Sequence, residues 1–217
     1  MRKTDVIKKT VIHVRSLQQQ ESTGHDWWHT HRVWQMAKKI GRIEKADLLV
    51  VQLSALLHDV ADWKSHEGDF EVGAREARTW LSRFSLDPKC IDHICWIVQS
   101  ISFKGVAAKR SDLTLEAMVV QDSDRLDALG AIGIARTFAY GGSKGRAIYD
   151  PSVRPVKHKT VKSYVDNKSP SINHFYEKLL LLKTRMHTET ARRIASNRDQ
   201  IIRDFLREFY DEWRGRK

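Results

Sequence analysis

The stretch from Leu48 to Leu57 is apolar except for Gln52 and Ser54, and it runs straight into the pair His58-Asp59. A helix that is apolar on all sides belongs in the interior. Burying it would fix an imidazole and a carboxylate against the core. Upstream lies Gly24-His25-Asp26-Trp27-Trp28-His29-Thr30-His31-Arg32-Val33, and far downstream Val119-Val120-Gln121-Asp122-Ser123-Asp124-Arg125-Leu126-Asp127. Each segment mixes apolar residues with His or Asp, which points to one site assembled from separate helices. Two imidazole nitrogens and two carboxylate oxygens make a ligand set for a divalent metal such as Mn, Fe, Zn or Ni.

The order His29-x-x-Arg32, His58-Asp59, Asp124-Arg125-Leu126 resembles the H…HD…D signature of the HD-domain metal-dependent phosphohydrolases. The wider stretches 25–29, 58–64 and 121–133 are similar to a bacterial subgroup whose characterised members split nucleoside triphosphates, and the likeness runs on through the C-terminal helices. The resemblance implies an all-α, compact single-domain helical bundle over residues 1–217. Its core metal site would span about 25–130, with a basic loop at about 143–169 and C-terminal helices at about 172–213. It also implies that His29, His58, Asp59 and Asp124 are the metal ligands.

In chain order, Val6, Ile7, Val11, Val14 and Leu17 predict an amphipathic helix over 4–20. Asp26 has the character of an N-cap for a helix over 27–40, on which His29, Arg32 and Val33 share a face. Gly41 is expected to separate it from a second helix, 43–58. Helices follow over 70–84, over 89–102 with Ile91, Ile94, Cys95, Val98 and Ile101 inward, and over 113–129. A short helix bracketed by Gly130, Gly133 and Gly141-Gly142 comes next. Residues 143–169 are rich in Lys, Arg, Ser and Pro and read as a long loop of the kind that is more often functional than inert. Two helices, 172–186 and 188–213, close the chain. The first carries Leu179, Leu180 and Leu182 inward, the second Ile194, Ile201, Phe205, Leu206 and Phe209.

The net charge of +11 admits nucleic acid, an acidic membrane surface or a small polyphosphate as partner, as well as a merely solubilising surface. Two cysteines five residues apart, Cys90 and Cys95, form neither a C-x-x-C pair nor a zinc pair, and suit a reducing compartment. No apolar h-region follows Met1 and no apolar run approaches bilayer length, so the expectation is a cytoplasmic protein without a membrane partner.

A metal phosphohydrolase must hold a cation that polarises the phosphorus–oxygen bond, supply a water of lowered pKa, and stabilise the charge that grows as the bond breaks. On the resemblance, Asp124 is the last ligand, while Asp122 points about 200° away on the helix and is structural or supporting. Asp127, one turn beyond, supports Asp124 or contacts substrate. Asp62, one turn after Asp59, is the catalytic candidate, because some relatives carry there a carboxylate that positions or deprotonates the attacking water. Lys64 and Lys104, with Arg32 behind them, are candidate phosphate-binding cations. Arg125 is expected to brace the helix through a carboxylate. Trp27, Trp28, Trp63, Phe103 and Tyr140 are candidate walls for a base. Where binuclear relatives carry two further histidines, this chain has Trp96 and Ile101, which favours one metal ion. Mn is the favoured ion, with Mg, Ni, Co, Fe and Zn as alternatives.

The leading reading is a metal-dependent hydrolase that cuts nucleoside or deoxynucleoside triphosphates to monophosphate and pyrophosphate, taking a small-molecule nucleotide and compatible with a homodimer. A nucleoside monophosphate phosphatase or phosphodiesterase is the runner-up. A basic helical module that binds nucleic acid is the reading from another class; the chain shows no helix-turn-helix or zinc-finger pattern in its favour.

Overall fold

The computed structural model describes residues 2–18, 26–61, 69, 71–101, 113–156 and 169–217. All regular structure among these residues is helical, as the all-α expectation required. The chain divides into two compact units, Met1–Ser123 and Asp124–Lys217.

The first unit contains α1 (Lys3–Leu17), α2 (Trp27–Ile43), α3 (Leu48–Leu57), α4 (Val72–Leu81), α5 (Pro88–Ile101) and the start of α6 (Leu115–Asp127). α3 is its centre and packs against α1, α2 and α5. Asp47 caps it, accepting from the Leu49 amide at 2.8 Å and the Val50 amide at 3.4 Å. Leu49, Val50, Val51, Leu53, Ser54, Ala55, Leu56 and Leu57 are all buried. Truncating a leucine such as Leu53 or Leu56 to Ala in such a position costs about 2–5 kcal/mol. The inward set of α5 is as expected: Ile91, Ile94, Cys95, Val98 and Ile101 are buried. Burial also raises the thiol pKa of Cys95 and of the half-buried Cys90.

Two local expectations need correcting. Gly41 does not break the chain between α2 and α3. It lies inside α2, and a Cβ there would sit 3.2 Å from Leu48 Cδ2 and 3.4 Å from Val51 Cγ1, so the glycine lets the two helices approach closely. The turn is made later, at Lys45, whose φ of 60° is left-handed. On α1, Leu17 is 54% exposed and Gln18 takes the buried place. The inward stripe runs Val6, Thr10, Val14, Gln18, a strict spacing of four, and polar residues occupy half of it.

In the second unit, α7 (Gly130–Ser143) begins at Gly130, whose φ of 72° turns the chain out of α6. The expected helix over 172–186 is divided into α8 (Ser171–His174), a π-helical turn (Phe175–Leu179), α9 (Leu180–Leu182) and a 3-10 turn (Lys183–Arg185). α10 (Glu189–Trp213) is capped by Thr188, which accepts from the Ala191 amide at 3.2 Å. On α10 the buried isoleucine is Ile202, whereas Ile201 is 46% exposed. Phe138, Phe175 and Phe205 form an aromatic core with ring centroids 5.6–5.9 Å apart. The first part of the predicted loop is anchored. The Ser171 and Ile172 amides donate to the carbonyls of Ala147 and Ile148, and Tyr149 lies edge-on to Phe209, Tyr210 and Trp213. Burial and contact with Tyr176 push the Tyr210 phenol well above its usual pKa. Residues 157–168 of that loop lie outside the described residues.

Candidate metal centre

The centre is built from the first turn of α2 and the end of α3. Asp26 caps α2 by accepting from the backbone amide of His29 at 2.9 Å, so the carboxylate that starts the helix also fixes the turn that carries the histidine. His29 then falls on the inner face of α2 with Val33, Ala37 and Ile40, all fully buried. At the other wall, α3 ends as its apolar residues run out, and His58 and Asp59 follow directly.

The Nδ1 of His58 lies 2.8 Å from the Ala55 carbonyl oxygen. A carbonyl can only accept, so Nδ1 carries the ring proton and Nε2 presents its lone pair. That lone pair faces His29 Nε2 at 3.3 Å. Asp59 Oδ2 completes a triangle, 3.5 Å from His29 Nε2 and 3.4 Å from His58 Nε2. His29, His58 and Asp59 thus form a group of potential metal donors whose ligand atoms lie within 4.8 Å of one another. A cation bound about 2 Å from each donor spreads its ligands roughly 3–3.5 Å apart, so the triangle fits a divalent ion. The two histidines are buried, and the Asp59 side chain is 28% exposed, so the carboxylate is the solvent-accessible member of the group.

Three of the four expected ligands therefore meet. Asp124, half-buried on α6, is the first residue of the second unit. Asp122, two residues earlier, is fully buried. Arg32 is half-buried, one residue before the core position Val33. Asp127 is buried and its Oδ2 accepts from Arg136 Nη1 at 2.7 Å, an ion pair between the end of α6 and α7. Arg125 braces the chain by donating to the Arg185 carbonyl at 2.6 Å and contacting His187 Nε2 at 2.9 Å. Asp62, Lys64 and Lys104 lie outside the described residues, as do Trp63 and Phe103. Of the remaining candidate base walls, Trp27 is buried against His31, while Trp28 and Tyr140 are exposed.

One residue escaped the sequence reading. Gln18 Nε2 donates to the backbone carbonyl of Asp59 at 3.2 Å. The signal for it was the spacing of four along α1, which reaches Gln18 and not Leu17.

The HD domain family matches residues 27–129, a span that contains both histidines and both halves of the α2–α3 pair. YpgQ of Bacillus subtilis, an uncharacterized protein, is 37% identical over 197 residues, which is 90% of this chain and 87% of YpgQ. The crystal structure of an HD-superfamily hydrolase from Bacillus thuringiensis is 38% identical, covers 98% of this chain and 99% of its own, and superposes with a TM-score of 0.78. The chain belongs to the HD superfamily. It is an HD-type, metal-dependent phosphohydrolase, and His29, His58 and Asp59 form a His-His-Asp group that could hold a metal ion. A crystal structure of YpgQ in complex with ADP is similar across 98% of this HD chain and 97% of YpgQ, with 32% identity and a TM-score of 0.78. No helix among the described residues is long and apolar enough to cross a membrane.

Proposed function

We propose that this HD hydrolase cleaves nucleoside or deoxynucleoside triphosphates to the monophosphate and pyrophosphate, with one divalent ion, Mn²⁺, as its cofactor. The observation that carries the reading is the donor triangle, with edges of 3.3–3.5 Å, in a chain whose relative YpgQ has been crystallised with ADP, a nucleotide with a phosphoanhydride. Two imidazole nitrogens with carboxylate oxygen form a mixed donor set, suited to a first-row ion with open positions rather than a closed structural zinc site.

In this reading Asp124 supplies the fourth donor. A divalent ion held there would supply Lewis acidity toward a phosphoryl oxygen and a more acidic water. The chain's own residues do the rest. The Ala55 carbonyl holds His58 in the tautomer that directs Nε2 into the site. Asp62 accepts a proton from the attacking water. The new oxygen–phosphorus bond forms at the α–β linkage, the bridging bond breaks, and pyrophosphate leaves with the electron pair. Arg32, Lys64 and Lys104 meet the phosphate oxygens, and Asp127 supports the α6 end of the site.

The test is product release from a nucleotide panel, using metal-stripped protein to which Mn²⁺, Mg²⁺, Ni²⁺, Co²⁺ or Zn²⁺ is restored singly. Pyrophosphate from triphosphates, strongest with Mn²⁺, is expected. Orthophosphate from monophosphates would replace the reading by a nucleotidase. Tight, steeply salt-dependent binding of DNA or RNA without metal-dependent turnover would replace it by a nucleic-acid-binding module.

A further inference from the structure

We propose that Gln18 is a positioning residue for the metal ligand Asp59, and that α1 takes part in building the metal centre through it. Gln18 is the C-cap of α1 and is only 7% exposed. Its Nε2 donates to the Asp59 carbonyl at 3.2 Å across 41 residues of sequence. The acceptor is a carbonyl oxygen, which settles which end of the amide faces it: the flipped amide would set two oxygens against each other. The other end, Oε1, is buried with no hydrogen-bond partner among the described residues. Burying half an amide unsatisfied costs free energy that Met or Leu of similar volume would not incur. What the amide does there that an apolar residue cannot is grip the backbone of the turn that presents a metal ligand.

The position in the fold makes that grip consequential. His58 and Asp59 lie beyond the last residue of α3, in the turn where the helical ladder ends. The His58 ring is tied back to Ala55. For Asp59, the Gln18 amide supplies the corresponding tie from a different helix. The partners that orient a ligand typically alter metal affinity by about 10–100-fold when removed.

The inference rests on the triangle being a metal centre, and one titration separates the two. Metal-stripped protein is titrated with Mn²⁺ and the EPR signal of free ion is followed. Gln18→Met keeps volume and removes the donor. Gln18→Glu keeps size and polarity but sets an acceptor against the carbonyl, and serves if the Met variant does not fold by far-UV circular dichroism. Thr10→Val is the control: Thr10 Oγ1 accepts from Trp80 Nε1 at 2.9 Å and anchors α1 on α4 without touching Asp59. The expected result is Mn²⁺ binding weakened about tenfold or more by either Gln18 change, with Thr10→Val lowering Tm at unchanged Mn²⁺ affinity. Wild-type affinity in the Gln18 variants, or an equal loss in Thr10→Val, would overturn the positioning role. Absence of Mn²⁺ binding in the wild type would overturn the metal centre itself.

Discussion

The two units treat buried polar groups in opposite ways. In the second, buried carboxylates meet guanidinium groups: Asp127 with Arg136 at 2.7 Å, and Asp199 with Arg203 at 2.8 Å. In the first, His29 and His58 converge nitrogen to nitrogen at 3.3 Å with a carboxylate oxygen beside them. Charge neutralised by an opposite side chain holds helices together. Lone pairs gathered on one point hold a cation. Burial alone does not distinguish the two cases, because Asp127 and His58 are about equally inaccessible. The sign of the neighbour does.

The comparison breaks most visibly at Asp59. Asp59→Ala removes one corner of the triangle, and turnover should fall by roughly three orders of magnitude, the scale of losing about 4 kcal/mol of charge stabilisation. The helical circular dichroism should be unchanged. Retained turnover would show that the triangle is not the metal site.

In the second unit the effect should be on folding instead. Arg136→Met takes one guanidinium partner from the buried Asp127, and urea denaturation should read a loss of about 2–4 kcal/mol. An unchanged midpoint would show that this pair is not structural. A smaller loss, about 1–3 kcal/mol, is expected for Gly41→Val, whose side chain collides with Leu48 and Val51 at the α2–α3 crossing. Because that crossing joins α2, which carries His29, to α3, whose end presents His58, Mn²⁺ affinity should fall with stability in Gly41→Val.

The smallest effect concerns His13, which stacks on Trp80 with centroids 3.7 Å apart. Burial, then the charge of Arg83, hold its pKa below the ordinary 6.5. A histidine with a lowered folded pKa favours the folded state above its unfolded pKa, and that contribution is lost as pH falls through the folded value. The wild-type urea midpoint should decline somewhat more steeply below pH 6.5 than that of His13→Gln. Parallel curves would remove His13 from the acid response.

What was legible in the sequence was whatever local patterning controls. The ten-residue helix Leu48–Leu57 announces its burial by being apolar all round. Asp26 announces a helix start, because a carboxylate before an amphipathic run satisfies exposed amides. Gly41 misled because the same residue serves as a breaker or as a contact point, and only the neighbouring helix decides which. Leu17 misled because hydrophobicity outweighed the spacing of four that carries Gln18 inward. Ile201 and Ile202 are indistinguishable by composition, and the register of α10 chooses between them.

The sequence by itself determined the helical class, the cap of α2 and which two histidines enter the His-His-Asp donor group, since periodicity, capping and an ordered motif are properties of short stretches of chain. Tertiary structure alone decided that His29 and His58 face each other at 3.3 Å, that the Ala55 carbonyl orients the second imidazole, and that Gln18 reaches the carbonyl of Asp59. These are distances between segments far apart in sequence. They are set by how closely helices pack, and that closeness depends on every side chain between them.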